Sequence, residues 1–352
     1  MRVILVNQNI ISVDAMGGDN GPGTVLPALA QASELHPDVR FLIFGQEEIV
    51  RPVFDRFPIL HNRSTVSHCD VAITMDEKPG AAVRRGRRES SMWRAIEAVK
   101  NGEAQAAVSA GNTGALMAMS KVILRTIPGI ERPALAAIWP TLKGECVVLD
   151  VGATIDITPA QYVQFAIMGQ AYARCVLGFS RPRIGILNVG VEDVKGSENI
   201  RDAAGILHES DLNFIGFVEG DGIGRGDADV VVTDGFTGNV ALKTAEGTAR
   251  QFATMLRESM ASNLFGKLGY LLAYRSFAAL REKLDPNASN GGMFLGVNGI
   301  VVKSHGSADV GGYCSAVEVA VEVAKADMAH AISQDVEEMR VLLENAWAER
   351  LD

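Results

Sequence analysis

Short apolar runs of strand length recur along the chain, and segments with helical spacing lie between many of them. The runs are apolar throughout, which is typical of parallel strands that helices cover on both faces of a sheet. The pattern therefore predicts an α/β fold in which strands and helices alternate. The predicted strands are residues 10–13, 41–44, 106–109, 135–139, 146–149, 184–187, 214–218, 230–233 and 299–302, and the predicted helices are residues 24–34, 92–100, 115–124, 161–177 and 197–209.

The pattern changes in the C-terminal third. Residues 236–284 are almost entirely helical in pattern, with interruptions near Gly266 and Gly269. Six basic and two acidic side chains between residues 250 and 283 make a basic amphipathic hairpin at about 250–284. It is either core plus a dimer contact or a surface that touches anionic lipid or an acidic partner, and a tip projecting from a dimer would combine both. The candidate contact residues are Arg257, Leu264, Lys267, Leu268, Leu271, Leu272 and Arg275.

The domain organisation follows from the absence of internal repeats and low-complexity linkers in the sequence. Residues 10–335 are expected to form a single unit, long enough for two lobes around a central cleft. The polar stretch 61–70 and the segment after Gly178 are the places where the lobes could divide. Residues 1–9 are an N-terminal extension, and residues 336–352 are predicted to form a C-terminal helix.

Charge and cysteine content narrow the class of protein. The 352 residues carry a formal net charge of −9, which argues against a general nucleic-acid binder. No CxxC or Cys/His spacing occurs, so no metal site is expected. Cys146 and Cys175 lie in apolar runs and are predicted to be buried thiols, as in a reducing compartment. Without a signal peptide or a run of ~20 apolar residues, the protein is expected to be cytoplasmic.

The most informative feature is a set of five Gly-rich loops, each between a strand and a helix. They are residues 14–19, 109–114, 188–198, 233–239 and 303–307. Backbone N–H groups are free where such a loop opens a helix, and they favour anions. Five such loops predict a cleft that holds phosphate-like charge.

The first two loops offer glycines and polar caps. Gly17 and Gly18 permit positive φ and a close backbone approach. Asp19 could cap the next helix or hold a cation, and the whole loop could simply be a tight turn. Asn112 or Thr113 either caps the following helix or donates hydrogen bonds to an oxyanion. Neither a GxGxxG nor a GxxxxGK[ST] motif occurs, so a dinucleotide or P-loop site gains no support.

The other three loops supply candidate cations and an acid–base group. Lys195, flanked by Gly196, either holds a phosphate or is an exposed surface lysine. Asp234 opens a turn that leads to Lys243 one helical turn along, and a capped turn is the alternative. His305 is the one histidine in a Gly/Ser loop, which makes it the acid–base candidate, although a structural role is equally open.

A separate basic cluster precedes Ser90, which is a natural helix N-cap. It is either solvated surface or a docking patch for an acidic protein or a phosphate-bearing ligand. Its members are Lys78, Arg84, Arg85, Arg87 and Arg88.

At these loops the sequence resembles the phosphate acyltransferases of bacterial phospholipid synthesis, the acyl-acyl carrier protein:phosphate transacylases. The resemblance runs in order from about residue 10 to about residue 330. It is carried by residues 13–19 (VDAMGGD), 108–117 (VSAGNTGALM), 149–152 (LDVG), 195–196 (KG), 231–239 (VVTDGFTGN) and 305–307 (HGS).

The resemblance implies a three-layer mixed sheet like that of isocitrate and isopropylmalate dehydrogenases, used without a nicotinamide or other cofactor. It implies a homodimer whose helical hairpin lies at the dimer tip and touches an anionic membrane surface, at the inner face of the plasma membrane. The implied reaction moves a fatty acyl group from acyl carrier protein to inorganic phosphate. The product, acyl phosphate, feeds a downstream glycerol-3-phosphate acyltransferase.

The implied site gathers the loop residues. Thr154, residues 289–293 and the first nine residues depart from the family pattern. Two other functions stay open: a non-catalytic scaffold that binds acyl carrier protein at the membrane, and a decarboxylating dehydrogenase of the same fold. The candidate catalytic residues are Lys195, His305, Asn112, Asn239 and Lys243, and the candidate binding residues are Asp14, Gly17, Gly18, Asp19, Ser109, Gly111, Thr113, Asn188, Asp234, Gly235, Thr237, Gly306 and Ser307.

Overall fold

This computed structural model describes residues 9–277, 290–325 and 328–338 of the chain. The eleven strands in this part form one mixed β-sheet. The strands are β1 (Asn9–Asp14), β2 (Val39–Gly45), β3 (Ser64–His68), β4 (Ala106–Ser109), β5 (Ala134–Thr141), β6 (Gly144–Leu149), β7 (Ile184–Leu187), β8 (Phe214–Val218), β9 (Val230–Val232), β10 (Gly292–Leu295) and β11 (Ile300–Lys303). Their order across the sheet is β3-β2-β1-β4-β11-β10-β5-β6-β9-β7-β8.

Helices connect the strands, as the alternating pattern predicts. They are α1 (Pro22–Leu35), α2 (Glu47–Phe54), α3 (Pro58–His61), α4 (Pro79–Gly86), α5 (Ser91–Lys100), α6 (Thr113–Leu124), α7 (Pro159–Leu177), α8 (Glu198–His208), α9 (Gly220–Arg225), α10 (Gly235–Ala261), α11 (Leu264–Leu272), α12 (Val310–Ala324) and α13 (Met328–Glu338). The α/β class and the predicted strands and helices are confirmed, with small shifts at their ends.

The sheet consists of two parallel sets of strands that run in opposite directions. β3, β2, β1, β4 and β11 are mutually parallel, and so are β6, β9, β7 and β8. Three antiparallel pairings, β11 with β10, β10 with β5 and β5 with β6, separate the two sets. Loops that follow the strands of one set therefore lie at one end of the strands, and loops that follow the strands of the other set lie at the opposite end.

Helices cover both faces of the sheet. Ile11 and Val13 of β1 lie in one apolar cluster with α1 and α12, whereas Ala107 and Val301 of the neighbouring strands pack with α5 and α6 on the other face. On the second half of the sheet, α7 is the central covering helix and most of its residues are buried. Such burial suits a helix that is apolar on nearly all sides.

Strand β3 was not predicted, and one expectation about element boundaries is corrected. β3 lies within the polar stretch 61–70, and its residues are half-buried or exposed, as at the edge of a sheet. The break in the predicted hairpin falls at Ser262 and Asn263, not at the glycines, because Asn263 Oδ1 accepts the Gly266 N–H at 2.7 Å and so caps α11. A Cβ on Gly266 would lie 2.5 Å from the Met260 carbonyl oxygen, so this glycine permits the tight turn between α10 and α11.

The predictions about the chain ends and the cysteines are only partly confirmed. Residues 1–8, the hairpin residues 278–284 and residues 339–352 lie outside the described part, and α13 begins at Met328, before the predicted C-terminal helix. Cys146 is buried as predicted, but Cys175 is exposed because it lies near the end of α7. Among the described residues, none of the helices has both the length and the apolar character needed to cross a bilayer.

Candidate active site

Three of the Gly-rich loops meet where β1, β4 and β11 end. The strand register places Asp14 beside Ser109 and Ser109 beside Lys303. The loops that follow these residues lead into α1, α6 and α12. In open α/β sheets, ligands bind outside the carboxyl ends of the strands. This junction of residues 14–21, 109–113 and 303–309, the three-loop junction, is therefore the candidate active site.

A buried hydrogen bond joins the first two loops. Ser109 Oγ donates to Asp14 Oδ2 at 2.7 Å, and Ser109 Oγ accepts the Gly111 N–H at 3.0 Å. Burial raises the pKa of Asp14, while hydrogen bonds from Ser91, Ser109 and the Met16 N–H act in the opposite direction. The Asp14 carboxyl thus organises backbone and hydroxyl groups at the base of the junction.

Glycines let the loops approach one another closely. A Cβ on Gly17 would lie 2.6 Å from the Gly111 nitrogen, and one on Gly18, whose φ is +87°, would lie 3.0 Å from the Gly306 carbonyl oxygen. The Asp19 N–H donates to that same oxygen at 2.9 Å. Between the loops lies a recess of about 190 Å³, including its open mouth, lined by Gly17, Gly18, Asp19, Asn20, Gly21, Thr24, Val25, Ala110, His305, Gly306, Ala308 and Tyr313.

The sequence expectation that Asp19 caps α1 is wrong. The N-cap residue is Gly21, and no side chain caps this helix. Asp19 instead connects the first loop to the last through its backbone N–H.

His305 stands at the mouth of this recess. Its Nδ1 accepts the Ser307 N–H at 3.3 Å and lies 2.9 Å from Ser307 Oγ, so in the neutral ring the proton is assigned to Nε2. Partial burial lowers the pKa of His305; Lys303, Lys243 and Arg250 lower it further, while Glu246 raises it.

Asn290, which sequence reasoning missed, holds the backbone of the His305 loop. Its Oδ1 accepts the His305 N–H at 3.0 Å, and its Nδ2 donates to Ser304 Oγ at 3.0 Å. The departure of residues 289–293 from the family pattern was the only signal at this position.

Lys303 is the second residue that sequence reasoning missed. Its ammonium group is buried and donates to the carbonyl oxygens of Ala110, at 3.4 Å, and Ser304. Burial lowers the pKa of Lys303 to about 8; Asp19 and Asp14 oppose this effect, and Lys243 adds to it. A lysine that ends an apolar strand at a Gly-rich loop was the available signal, since residues 303–307 had been recognised as a loop of this kind.

A second group of loop residues surrounds Asp150, at the end of β6. Its carboxylate accepts the N–H groups of Leu135 at 2.9 Å, Gly152 at 3.1 Å, Ala153 at 2.9 Å and Thr154 at 2.6 Å. Burial raises the pKa of Asp150 to about 6 despite these four donors. Thr154, a departure from the family pattern, thus contributes a backbone N–H to this arrangement.

The start of α10 packs directly on this group. Asp234 caps the helix by accepting the Thr237 N–H at 2.9 Å and the Thr237 hydroxyl at 2.7 Å, which confirms the capped turn. Gly235 and Gly238 are buried, and Asn239 lies against Gly152.

Helix α10 connects the Asp150 group to the three-loop junction. Its 27 residues span roughly 40 Å at 1.5 Å per residue. The first turn contacts the Asp150 loop, and Lys243, Glu246 and Arg250 lie close enough to shift the pKa of His305. Lys243 lies about 12 Å along the helix from Gly235, and from there its charge acts on His305 and Lys303.

The Gly-rich loop of residues 188–198 is less directly connected to the three-loop junction. Asn188 Nδ2 donates to the Lys195 carbonyl oxygen at 3.1 Å, and Gly196, with φ of +88°, packs against Asn188. The Lys195 side chain is exposed. Its loop follows β7, which belongs to the strand set opposite to that of β1, β4 and β11. Its role in binding phosphate stays a prediction.

The structure confirms that Asn112 caps α6. Its Oδ1 accepts the Ala115 N–H at 3.0 Å, and its Nδ2 donates to the carbonyl oxygens of Met75 at 2.7 Å and Glu77 at 3.0 Å. The side-chain amide therefore holds the segment before α4, while Thr113 is the first residue of α6. Oxyanion contacts of these residues stay predictions.

Some side chains of the basic cluster are exposed, whereas Arg85 is engaged within the protein. Arg85 pairs with Glu77 and donates to the Ala72 carbonyl oxygen at 2.7 Å. Arg84, Arg87 and Arg88 are exposed around the end of α4. Ser90 caps α5 as predicted, accepting the Trp93 N–H at 3.1 Å.

Solved structures of proteins with different described activities share this fold. A phosphotransacetylase from Streptococcus pyogenes aligns with a TM-score of 0.60 at 19% identity, over 92% of this chain and 95% of that chain. A chain described as a 4-hydroxythreonine-4-phosphate dehydrogenase from Salmonella typhimurium aligns with a TM-score of 0.53 at 14% identity, over 90% and 100% of the two chains. At such identities the likeness concerns the fold alone.

Sequence comparison identifies the family. A phosphate acyltransferase of Parvibaculum lavamentivorans is 56% identical over 331 residues, which cover 94% of this chain and 92% of that protein. The pattern of the family described as fatty acid synthesis protein matches residues 10–331. The chain therefore belongs to the fatty acid synthesis protein family and is an acyltransferase that transfers an acyl group to phosphate.

Proposed function

We propose that the acyl donor is a fatty acyl group on acyl carrier protein and that the product, acyl phosphate, is consumed by a glycerol-3-phosphate acyltransferase in the membrane. The observation that supports acyl transfer to phosphate at this site is the three-loop junction, where His305 and close-packed glycines line the recess and Lys303 bonds to Ala110, which also lines it. Backbone N–H groups and a buried ammonium suit a phosphate acceptor. No nucleophilic Ser or Cys is needed, because phosphate itself attacks the thioester.

The proposed reaction balances without a cofactor. An oxygen of HPO₄²⁻ forms a bond to the thioester carbonyl carbon, the carbon–sulfur bond breaks, and the electron pair stays on sulfur. The proton of HPO₄²⁻ ends on the thiolate, which gives the thiol of acyl carrier protein and RCO–OPO₃²⁻. The protein therefore contributes orientation and stabilisation of the developing oxyanion.

The geometry supports a role for each of the following residues. His305, with its proton assigned to Nε2, donates a hydrogen bond to the carbonyl oxygen of the substrate. Lys243 reaches the junction from α10 and supports the negative charge. Asn239 and Lys195 act from segments that follow strands of the second parallel set, in the roles predicted from the sequence. Exposed Arg84, Arg87 and Arg88 offer a patch for acidic acyl carrier protein.

The donor is tested by incubating the protein with long-chain acyl-acyl carrier protein and inorganic phosphate, and trapping acyl phosphate with hydroxylamine. We expect hydroxamate that depends on phosphate and appears without added metal or nicotinamide. If acyl carrier protein binds but no hydroxamate forms with any acyl thioester, the scaffold alternative replaces this proposal. Product from acyl-coenzyme A alone would refute the carrier protein as donor.

We further propose that a homodimer docks peripherally on the inner face of the plasma membrane through α10 and α11. Leu264, Phe265, Leu271 and Leu272 are 72% to 88% exposed, and no residue of α11 is buried. Arg257, Lys267 and Arg275 lie along the same segment and suit anionic headgroups. The two lobes, the dimer tip and the finer likeness to isocitrate and isopropylmalate dehydrogenases belong to this proposal.

Charged substitutions on α11 are expected to weaken membrane binding. The double change Leu271→Glu and Leu272→Glu should reduce co-flotation with vesicles containing phosphatidylglycerol by roughly tenfold or more, because two apolar side chains no longer enter the interface. Leu142→Glu is the matched control, since Leu142 is 87% exposed in the turn between β5 and β6. Equal flotation of both variants would refute the membrane contact, and loss of dimerisation alone would make α11 a subunit interface.

A further inference from the structure

Lys303 is a buried cation for which the fold alone gives no reason. The residue is 8% exposed, and its ammonium bonds to two carbonyl oxygens, those of Ala110 and Ser304. Burial of an ammonium without a compensating anion is unfavourable. A charged group in this state, placed at the carboxyl end of a central strand beside Gly-rich loops, is typical of a functional site.

The charged groups around Lys303 come from three elements. Asp14 lies at the end of β1, Asp19 in the following loop, and Lys243 on α10, and each acts on Lys303 electrostatically. His305 lies two residues further along the same loop as Lys303 and is itself influenced by it. The Asp14 carboxyl is already engaged by Ser109 Oγ and the Met16 N–H. The neighbouring carboxyls therefore do not form a close ion pair with Lys303 in the described part of the chain.

Backbone donors accompany this charge. Within residues 9–277, 290–325 and 328–338, the N–H groups of Gly18 and Gly306 have no hydrogen-bond partner. Both glycines line the recess, and so does Ala110; Lys303 is connected to the recess through its bond to the Ala110 carbonyl oxygen. Unpaired N–H groups beside a buried cation are the kind of donors that anion-binding concavities use.

We propose that Lys303, rather than the exposed Lys195, is the principal cation that binds the acceptor phosphate. Its ammonium joins the loop after β4 to the loop after β11 and supplies the positive charge that a phosphate dianion neutralises. This inference deepens the proposed function and rests on inorganic phosphate as the acyl acceptor. It does not depend on which thioester supplies the acyl group.

Phosphate binding in the absence of any acyl donor tests this inference. Titration of inorganic phosphate by calorimetry should give a Kd roughly 10- to 100-fold weaker for Lys303→Met than for the unmodified protein, the loss expected for one charge-assisted contact. Lys121→Met is the matched control, because Lys121 also donates to a backbone carbonyl, that of Glu131, but is exposed on α6. We expect the control to bind phosphate normally.

Lys303→Arg keeps the positive charge and serves as a second variant, so that the test does not depend on the folding of Lys303→Met alone. It should bind phosphate within about tenfold of the unmodified protein, and thermal melting without phosphate reports whether each variant is folded. Because the pKa of Lys303 is about 8, binding by the unmodified protein should weaken between pH 7.5 and 9.5. Sulfate, a dianion throughout this range, should show the same weakening, and Lys303→Arg should not.

Two results would overturn the inference. One is an unchanged phosphate Kd in folded Lys303→Met, and the other is a larger loss in Lys195→Met than in Lys303→Met. In steady-state assays the expected effect is a raised KM for phosphate with a smaller change in kcat. If the unmodified protein binds phosphate through Lys303 but forms no acyl phosphate from acyl-acyl carrier protein, only the proposed donor fails.

Discussion

Replacement of Gly238 by alanine is expected to lower the free energy of unfolding by about 3 kcal/mol, the upper part of the range for overpacking a well-packed core. A Cβ at this position would lie 2.0 Å from the Asp150 carbonyl oxygen and 2.8 Å from Thr233 Cγ2. The backbone of Asp150 cannot move aside easily, because its side chain already holds four N–H groups. The first turn of α10 must therefore shift away from the Asp150 loop.

Gly247→Ala is the matched control on the same helix. A Cβ there meets no atom within 4 Å, so the change should stabilise the protein by about 0.5–1 kcal/mol through helix propensity. Urea unfolding followed by circular dichroism measures both variants. Similar stability changes in the two variants would contradict the close packing of α10 on Asp150.

A second consequence of Gly238→Ala concerns the site. Because α10 also carries Lys243 and Glu246 to the junction, a shift at its first turn should displace both side chains. We expect kcat to fall in Gly238→Ala even under conditions where the variant is folded, and to stay unchanged in Gly247→Ala.

His305→Ala is expected to lower kcat by roughly 10²- to 10³-fold, the loss typical of one oxyanion donor. The Ser307 N–H donates to Nδ1 and so leaves the proton of the neutral ring on Nε2. Without this group the developing negative charge on the substrate oxygen loses a donor, whereas binding of phosphate should change little. Rates of acyl phosphate formation at saturating phosphate measure the effect. His68→Gln is the control, since His68 is an exposed histidine beside Asp70.

The pH dependence gives an independent test of His305. Its pKa is lowered from 6.5 by partial burial, so the neutral ring persists below pH 6.5. Protonation would add a second N–H at Nδ1, opposite the Ser307 N–H, and displace the ring. Activity should therefore fall on the acid side at a pH below 6.5, and His305→Ala should lack this step.

The lowered pKa of His305 also makes the free energy of unfolding depend on pH. Between pH 6.5 and its lowered pKa, the unfolded chain binds a proton at His305 that the folded protein does not. Stability from this group is therefore present above pH 6.5 and lost as the pH falls, and His305→Ala removes that part of the acid sensitivity. An unchanged acid limb in both rate and stability would show that His305 is not the titrating group.

Local pattern was sufficient for most of the fold. Apolar runs marked the strands that are buried on both faces, and α7, which is buried along most of its length, was recognised by its long apolar segment. β3 was missed because an edge strand has no need of an apolar run. The turn between α10 and α11 was misplaced because α10 ends at the Ser262 cap and Asn263 caps the start of α11, while Gly266 and Gly269 lie inside α11.

The sequence by itself determined the α/β class, the positions of the five Gly-rich loops and the family to which they belong. Only the tertiary structure decided which loops meet, since the direction of each strand depends on pairings between distant segments. Those pairings align Asp14, Ser109 and Lys303 side by side and place the Lys195 loop in the other strand set. The position of Lys303 at the end of an apolar strand can be read from the chain, but its burial against the Ala110 carbonyl oxygen depends on the packed molecule.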